Sequence, residues 1–530
     1  MRTLLFAALA LAAAGCRTLA PTPQPVLDAL ARAPGAHLAG TPSGLGPPVV
    51  LNAEDFVYDA KPSPDAKTVA VSRLGRKYFH LALHGLGGEK PEKRADVEVT
   101  PLEWDVDAVE FSPDGVAVAT VCRDGAVRVY AAADGAPKGA WLTEEPLVTL
   151  AWAPAGDVLA VGSAKGLVTL LSWPGLSFLG EVRPHTDEVR GLAFVQRDGA
   201  LELVSGGWDK RLVVHRVTPA TSPGRTARLA LTKKNGVVLF RALLDGRALG
   251  QVTLDNRVPG VVVRTALAAS AGIDVNALPD TTRINTGLGT QLARVAKGRT
   301  LALKTLVLEN VDVAVCDACV PPEAQGVLGT ALLEVADVAF DEAAGAVVLT
   351  ARDGAPVASV RALDATPARA FTFPAAINDV SVDAAGQVLG VAFSETKAER
   401  TRAVYEAEKR GDVEPEREWD CGARVDVASG RVLEKLRGHR GVVATAGISP
   451  DGKTLATGGW DKTVRLHLPP PAESPVDDDY GWAVRRVRFS KDGRWLVTAA
   501  WTPQNPLGSH QSNPSAVVYE VRYVDAAVVK

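Results

Sequence analysis

Val109-Glu110-Phe111-Ser112-Pro113-Asp114-Gly115 decides the fold of this chain, because the same pattern keeps returning. It recurs as Leu150-Ala151-Trp152-Ala153-Pro154-Ala155-Gly156, as Ile448-Ser449-Pro450-Asp451-Gly452, and as Val487-Arg488-Phe489-Ser490-Lys491-Asp492-Gly493. Looser copies are Ser63-Pro64-Asp65-Ala66, Arg197-Asp198-Gly199 and Asp383-Ala384-Ala385-Gly386. Each copy ends an alternating apolar run and is followed by another, such as Val116-Ala117-Val118-Ala119-Thr120-Val121. A second polar turn then leads into a third run, Ala126-Val127-Arg128-Val129-Tyr130. Period-two alternation broken by Asp-Gly turns predicts antiparallel hairpins.

Neighbouring turns lie about 41 to 43 residues apart, the spacing of one four-stranded propeller blade. Seven such units are counted, at 55–85, 105–137, 147–182, 187–217, 375–436, 441–468 and 482–523. The expected fold is therefore all-β, a seven-bladed β-propeller. The last unit shows three strands, and Pro48-Val49-Val50-Leu51-Asn52 is expected to supply its outer strand. That pairing would close the ring and remove an open edge.

Two units resemble the WD repeat. One runs from Gly438-His439 to Thr457-Gly458-Gly459-Trp460-Asp461, the other from His185 to Ser205-Gly206-Gly207-Trp208-Asp209. The resemblance implies a buried hydrogen-bonded network within each blade. It would join His439, Thr457 and Asp461 in one and His185, Ser205 and Asp209 in the other. The position of the family's strand tryptophan holds His467 and His215. These histidines are read as structural, since a buried polar network fixes geometry when its members are satisfied.

The period breaks twice. The fourth and fifth turns are about 186 residues apart, roughly 143 more than one blade needs, and long surface insertions cost little. The smaller excess carries the charged run 397–410, read either as a solvated excursion or as a partner-binding element. The larger, 228–352, has its own pattern: Val237–Leu244 and Leu249–Leu254 around a turn, then Asp255-Asn256-Arg257-Val258-Pro259-Gly260-Val261-Val262-Val263. A helix-like Thr265–Ile273 follows, and late in the segment Gly326-Val327-Leu328-Gly329-Thr330-Ala331-Leu332-Leu333. This order resembles the bacterial retropepsin-like aspartic proteases over about 120 residues. The resemblance puts Asp255 in the catalytic position, with Asn256 and Arg257 where that family has threonine and glycine. Aspartic proteolysis needs two carboxylates sharing a proton, so a single lobe would have to pair with a second copy. No Asp-Thr-Gly or Asp-Ser-Gly occurs in the chain, and Arg257 would favour the ionised form of Asp255. Asp255 is thus expected to belong to a degenerate motif.

At the N-terminus Arg2 precedes the apolar run Leu4–Ala14, too short for a membrane span of about twenty residues and suited to a signal-peptide core. The run ends in Ala13-Ala14-Gly15-Cys16, which resembles a bacterial lipobox and implies lipidation at Cys16. The alternative is an ordinary secretory signal. On this reading 1–15 is the signal peptide, 16–47 a flexible tether, 48–220 blades one to four, 228–352 the inserted retropepsin-like domain and 362–530 blades five to seven. The lone pair Cys316 and Cys319 is compatible with a disulfide or with free thiols, since zinc would need two further ligands. Cys122 is expected to be a small core residue.

With a net charge of −3 among 530 residues, nothing electrostatic argues for nucleic acid. No cofactor is expected. The functional expectation is a membrane-anchored scaffold of the bacterial cell envelope, at the outer membrane or periplasmic face, binding a protein or glycan partner. The alternative is a tethered aspartic endopeptidase, homodimeric if the inserts pair.

Overall fold

The computed structural model describes most of residues 37–529; segments 1–36, 395–421, 469–475, 478–482 and 501–515, with several short loop stretches, lie outside the described residues. The signal peptide, Cys16, the run 397–410 and Cys421 fall there.

The recurring turn builds each blade from the inside. In blade two Ser112 Oγ bonds Asp114 and accepts the Ala117 amide at 3.0 Å, while Asp114 accepts the Val116 amide at 3.1 Å. Blade six repeats this with Ser449, Asp451, Lys453 and Thr454. Gly115 sits at φ +75° and Gly452 at +71°, left-handed values that glycine adopts without steric cost. Ala66 takes the equivalent place in blade one at φ 57°. The turn sets the register of the first hairpin, and the alternation then sends one face of each sheet toward the preceding blade and the other toward the next.

Seven sheets result. Their inner strands are Val57–Pro62, Val106–Phe111, Leu147–Trp152, Val189–Arg197, Ala376–Val382, Val443–Ile448 and Val484–Phe489. Each packs on the next, and the seventh packs on the first, so the ring is closed. The core is accordingly a series of inter-blade layers. Tyr58, Phe79 and Leu81 of blade one meet Val109, Phe111 and Val118 of blade two, and Val57, Val69 and Val71 meet Val497 and Val518 of blade seven. This is the expected all-β, seven-bladed β-propeller with an inserted β domain.

Two boundaries differ from the sequence reading. The outer strand of blade four is Leu363–Thr372, paired antiparallel with Arg211–Pro219 across the whole insertion. The segment 363–372 therefore belongs to blade four and not to blades five to seven. The insertion leaves the propeller inside a blade, between its third and fourth strands. The tether also ends earlier than residue 47, because His37–Leu45 is a strand paired with Val521–Val529 of the long strand Ala516–Val529. Val49–Asn52 pairs with the start of that strand, Val49 opposite Val518, as the outer strand of blade seven. The N-terminal chain thus closes the ring by hydrogen bonding, and a two-stranded ribbon continues beyond the blade.

The insert has its own core, including Phe240, Val252, Leu267, Leu301, Val313, Leu328 and Val347. An eight-stranded sheet is flanked by a three-stranded one. In the latter, Thr226–Ala230 and Ala346–Ala351 pair antiparallel, so entry and exit lie side by side. An insertion whose ends meet leaves its host geometry intact. The helix-like segment is an α-helix over Thr265–Ser270, and the late element is a strand, Gly326–Leu328, followed by a helix, Thr330–Val335.

Candidate functional site

The WD-type positions come together in both blades. His439 Nδ1 lies 2.9 Å from Asp461 and Nε2 lies 2.8 Å from Thr457 Oγ1; the His467 Nε2–Thr457 Oγ1 distance is 2.7 Å. A carboxylate only accepts, so Nδ1 of His439 donates to Asp461. Its Nε2 then accepts from the Thr457 hydroxyl, which in turn accepts from His467. In blade four His185 lies 2.8 Å from Asp209 and 2.9 Å from Ser205. There the chain of bonds stops. His215 is 0% exposed and neither ring nitrogen has a hydrogen-bond partner. Burial lowers His185, holds His215 at about 4 and His467 at about 3, so all three rings are neutral near pH 7. Buried and bonded within one blade, His185, His439 and His467 lock strands, whereas His215 is buried without a partner.

A second polar cluster was not found from the sequence. Asp379, on the inner strand of blade five, accepts Arg488 Nη1 at 2.7 Å and Nη2 at 2.6 Å, both from blade seven. It also accepts Thr445 Oγ1 at 2.7 Å and the Ala446 amide at 3.2 Å from blade six. Arg486 stands 3.2 Å from Asp379 and bonds Asp59 of blade one at 3.0 Å, while Asp59 also accepts the Val109 amide of blade two at 3.0 Å. Five blades are tied by this network. Despite burial, the two guanidiniums hold the Asp379 carboxyl far below its usual range. Asp59, Asp379 and Arg486 each stand just past the register shift of their inner strand, a place that strand pairing defines and the sequence does not mark. Only the closed ring brings them together.

Asp255 directly follows the strand Ala248–Leu254 of the insert. Gly326–Leu328 slots between Ala248–Leu254, to which it runs parallel, and Val261–Val263, to which it runs antiparallel. The loop 255–260 spans these two strands and is bonded to the late element. The Asp255 amide donates to Leu328 O at 3.2 Å, the Gly329 amide to Gly260 O at 2.8 Å and the Thr330 amide to Val258 O at 2.9 Å. A Cβ on Gly329 would fall 1.9 Å from Val258 O, so only glycine fits. On this support the Asp255 carboxylate is held by its own loop. Arg257 Nε and Nη2 donate to it at 2.9 and 2.8 Å, and the Arg257 amide donates at 2.9 Å. The guanidinium keeps the carboxyl below the usual carboxylate range. Such a carboxylate stays ionised and can accept hydrogen bonds, but it is poorly suited to carry the shared proton of an aspartic dyad.

Cys316 and Cys319 are disulfide-bonded, their Cα atoms 5.4 Å apart. The Asp317 side chain between them accepts from the Thr265 amide at 2.9 Å and from its hydroxyl at 2.8 Å. Cys122 is a free, buried thiol, pushed up to about 12 by desolvation, and is inert as a nucleophile. Among the described residues no cluster of His, Cys, Asp and Glu is arranged to hold a metal ion, and no helix is long and apolar enough to cross a membrane.

Comparison with known proteins matches two parts of the chain. A family model for the WD domain, G-beta repeat, matches residues 101–131 and 430–467. One for aspartyl protease matches 241–332. Eukaryotic translation initiation factor 3 subunit I from Coccidioides immitis is 38% identical over 98 residues, which is 18% of this chain and 27% of that protein. Its counterpart from Scheffersomyces stipitis is 31% identical over 101 residues, 19% of this chain and 27% of that one. The chain therefore spans about a quarter of the length of these relatives. Among solved structures, a chain of the Mitotic Checkpoint Complex covers 97% of this one and 98% of itself, at TM-score 0.47 and 13% identity.

Proposed function

We propose that this protein is a scaffold of the bacterial cell envelope, lipid-anchored through Cys16, whose WD-repeat propeller binds a protein partner. The observation that carries the binding reading is how the polar chemistry of the propeller is used. The His185 and His439 networks and the Asp379 cluster are bonded within and between blades, which makes the ring a rigid support for its loops. Functional contacts on rigid scaffolds are made by surface loops. The anchor rests on the lipobox resemblance of Ala13-Ala14-Gly15-Cys16. Its test is metabolic labelling with a palmitate analogue, where Cys16→Ser should abolish incorporation. The scaffold reading is tested by crosslinking the full chain in native membranes and identifying the crosslinked species. A chain crosslinked to no other protein in its own membranes would end it.

The placement of Asp255 on the strand-and-loop support of the insert favours one second reading, an aspartic endopeptidase assembled by two inserts. Arg257→Gly, which frees the carboxylate, should then raise cleavage of a mixed peptide substrate between about pH 3 and 6, the range in which carboxylic dyads share a proton. Asp255→Ala should abolish it. No cleavage by wild type or Arg257→Gly across that range would dismiss the enzyme.

A further inference from the structure

The insert does not hang free of the propeller. It folds back on the outer rim of blades two and three. Arg241 donates to Thr143 O at 3.0 Å, and Lys304 pairs with Glu181 at 2.7 Å while standing 5.6 Å from the centre of the Phe178 ring. Between these two contacts lies a cavity of about 740 Å³, within the range of about 300 to 1,000 Å³ typical of ligand sites and at a domain interface, where such sites concentrate. One wall is propeller, where Trp141 and Phe178 stack with ring centres 6.5 Å apart. The other wall is insert, with Leu229 and Leu243. Nothing in the propeller ring or in the Asp255 loop accounts for it.

We propose that this cleft binds an extended peptide segment bearing a carboxylate, added as a strand between the propeller rim and the insert. This rests on the scaffold reading and names one of its partners by chemistry. Two end strands reach the cavity wall. Pro137–Leu142, the outer strand of blade two, contributes Trp141 and Leu142, and Thr226–Ala230 of the insert contributes Arg228, Leu229 and Ala230. Among the described residues each is hydrogen-bonded to a neighbouring strand on one side only. An end strand presents main-chain donors and acceptors that an added strand satisfies. A peptide in that conformation turns alternate side chains to opposite faces, which suits apolar residues for the Trp141–Phe178 wall and the Leu229–Leu243 wall. The charged groups then select. Arg183 is paired with Glu145 at 2.6 Å and Lys304 with Glu181. Arg228 is paired with Asp341, and Glu309 also lines the cavity; among the described residues Arg241 bonds a backbone carbonyl alone, and its fork retains donors for a carboxylate.

The test uses the full chain and a phage-displayed random heptapeptide library, with recovered sequences resynthesised and titrated by fluorescence anisotropy. Recovered peptides should carry apolar residues at alternate positions and an acidic residue. Arg241→Glu should weaken them at least tenfold, and replacing the peptide's acidic residue by lysine should restore binding to that variant. Leu243→Lys, half-buried on the opposite wall, should weaken them as well, whereas Trp460→Ala, exposed on blade six, should not. Each variant is first shown to melt like wild type. Should Arg241→Glu fail to fold, Leu243→Lys carries the test. Peptides indifferent to the cleft variants would overturn the proposal, as would cleft variants that alter binding to a glycan array and to no peptide. Membrane crosslinking that persists unchanged in variants that have lost the peptides leaves the scaffold reading standing and separates the two questions.

Discussion

Replacing Asp379 by alanine tests whether the inter-blade charge cluster holds the ring together. The carboxylate is 1% exposed and receives two bonds from Arg488, one from Thr445 and one from the Ala446 amide, with Arg486 3.2 Å away. Removing one member of a buried ion pair leaves the other charged and desolvated, at a cost of about 3 to 5 kcal/mol. Arg488 would keep Thr445 Oγ1, Ala446 O and Val487 O as acceptors, and Arg486 would keep Asp59. The expected loss is therefore at the lower end, about 3 kcal/mol. At a slope of about 3 kcal/mol per molar urea this moves the propeller's unfolding midpoint down by about 1 M. Asp379→Leu combined with Arg488→Met should recover at least half of the loss, because no unpaired charge then remains at that position. Acid gives an independent reading. A carboxyl whose folded pKa is depressed stabilises fully above its unfolded value of about 3.9 and loses that contribution as pH falls toward the folded value. Wild type should thus lose stability below about pH 4 more steeply than the double variant. The assay is urea unfolding followed by tryptophan fluorescence at pH 7 and at pH 3. A single-variant cost under about 1 kcal/mol, or strict additivity of the two substitutions, would refute the cluster as a tie between blades.

His215→Phe should raise the melting temperature, since two buried ring nitrogens without partners give way to an apolar ring, a gain of about 1 to 3 kcal/mol. His215 is held at about 4 when folded against about 6.5 unfolded, so its contribution is complete above pH 6.5 and lost on descent toward 4; the phenylalanine variant should have a flatter stability profile in that window. Cys316→Ser with Cys319→Ser should loosen the insert by about 2 kcal/mol, the loop-closure value for a ring of about four residues, read as faster hydrogen exchange in 316–328 with the propeller unchanged. Gly115→Ala, at φ +75°, should cost about 1 to 2 kcal/mol, whereas Ala66→Gly, at φ 57°, should be neutral or stabilising by up to about 1 kcal/mol; thermal melts of the pair decide it.

The local part of this protein was written in its sequence. The Ser-Pro-Asp-Gly turn, the alternation beside it and the spacing of its copies are short-range signals, and they led to seven blades and to the position of the insert; the networks at His185 and His439 were implied by the resemblance of two units to the WD repeat. The bidentate grip of Arg257 on Asp255 is local too, two residues apart. What tertiary structure alone decided are contacts between residues far apart in the chain. Leu363–Thr372 returns to Arg211–Pro219 across the insertion, His37–Leu45 pairs with the far end of the chain, and Asp379 meets Arg488 from two blades away. The cleft between Trp141 and Leu229 likewise exists only because the insert folds back on the rim. Periodicity tells each strand which face to bury, but not which distant strand or charge will stand opposite. That follows from closing a ring, where the last sheet must meet the first.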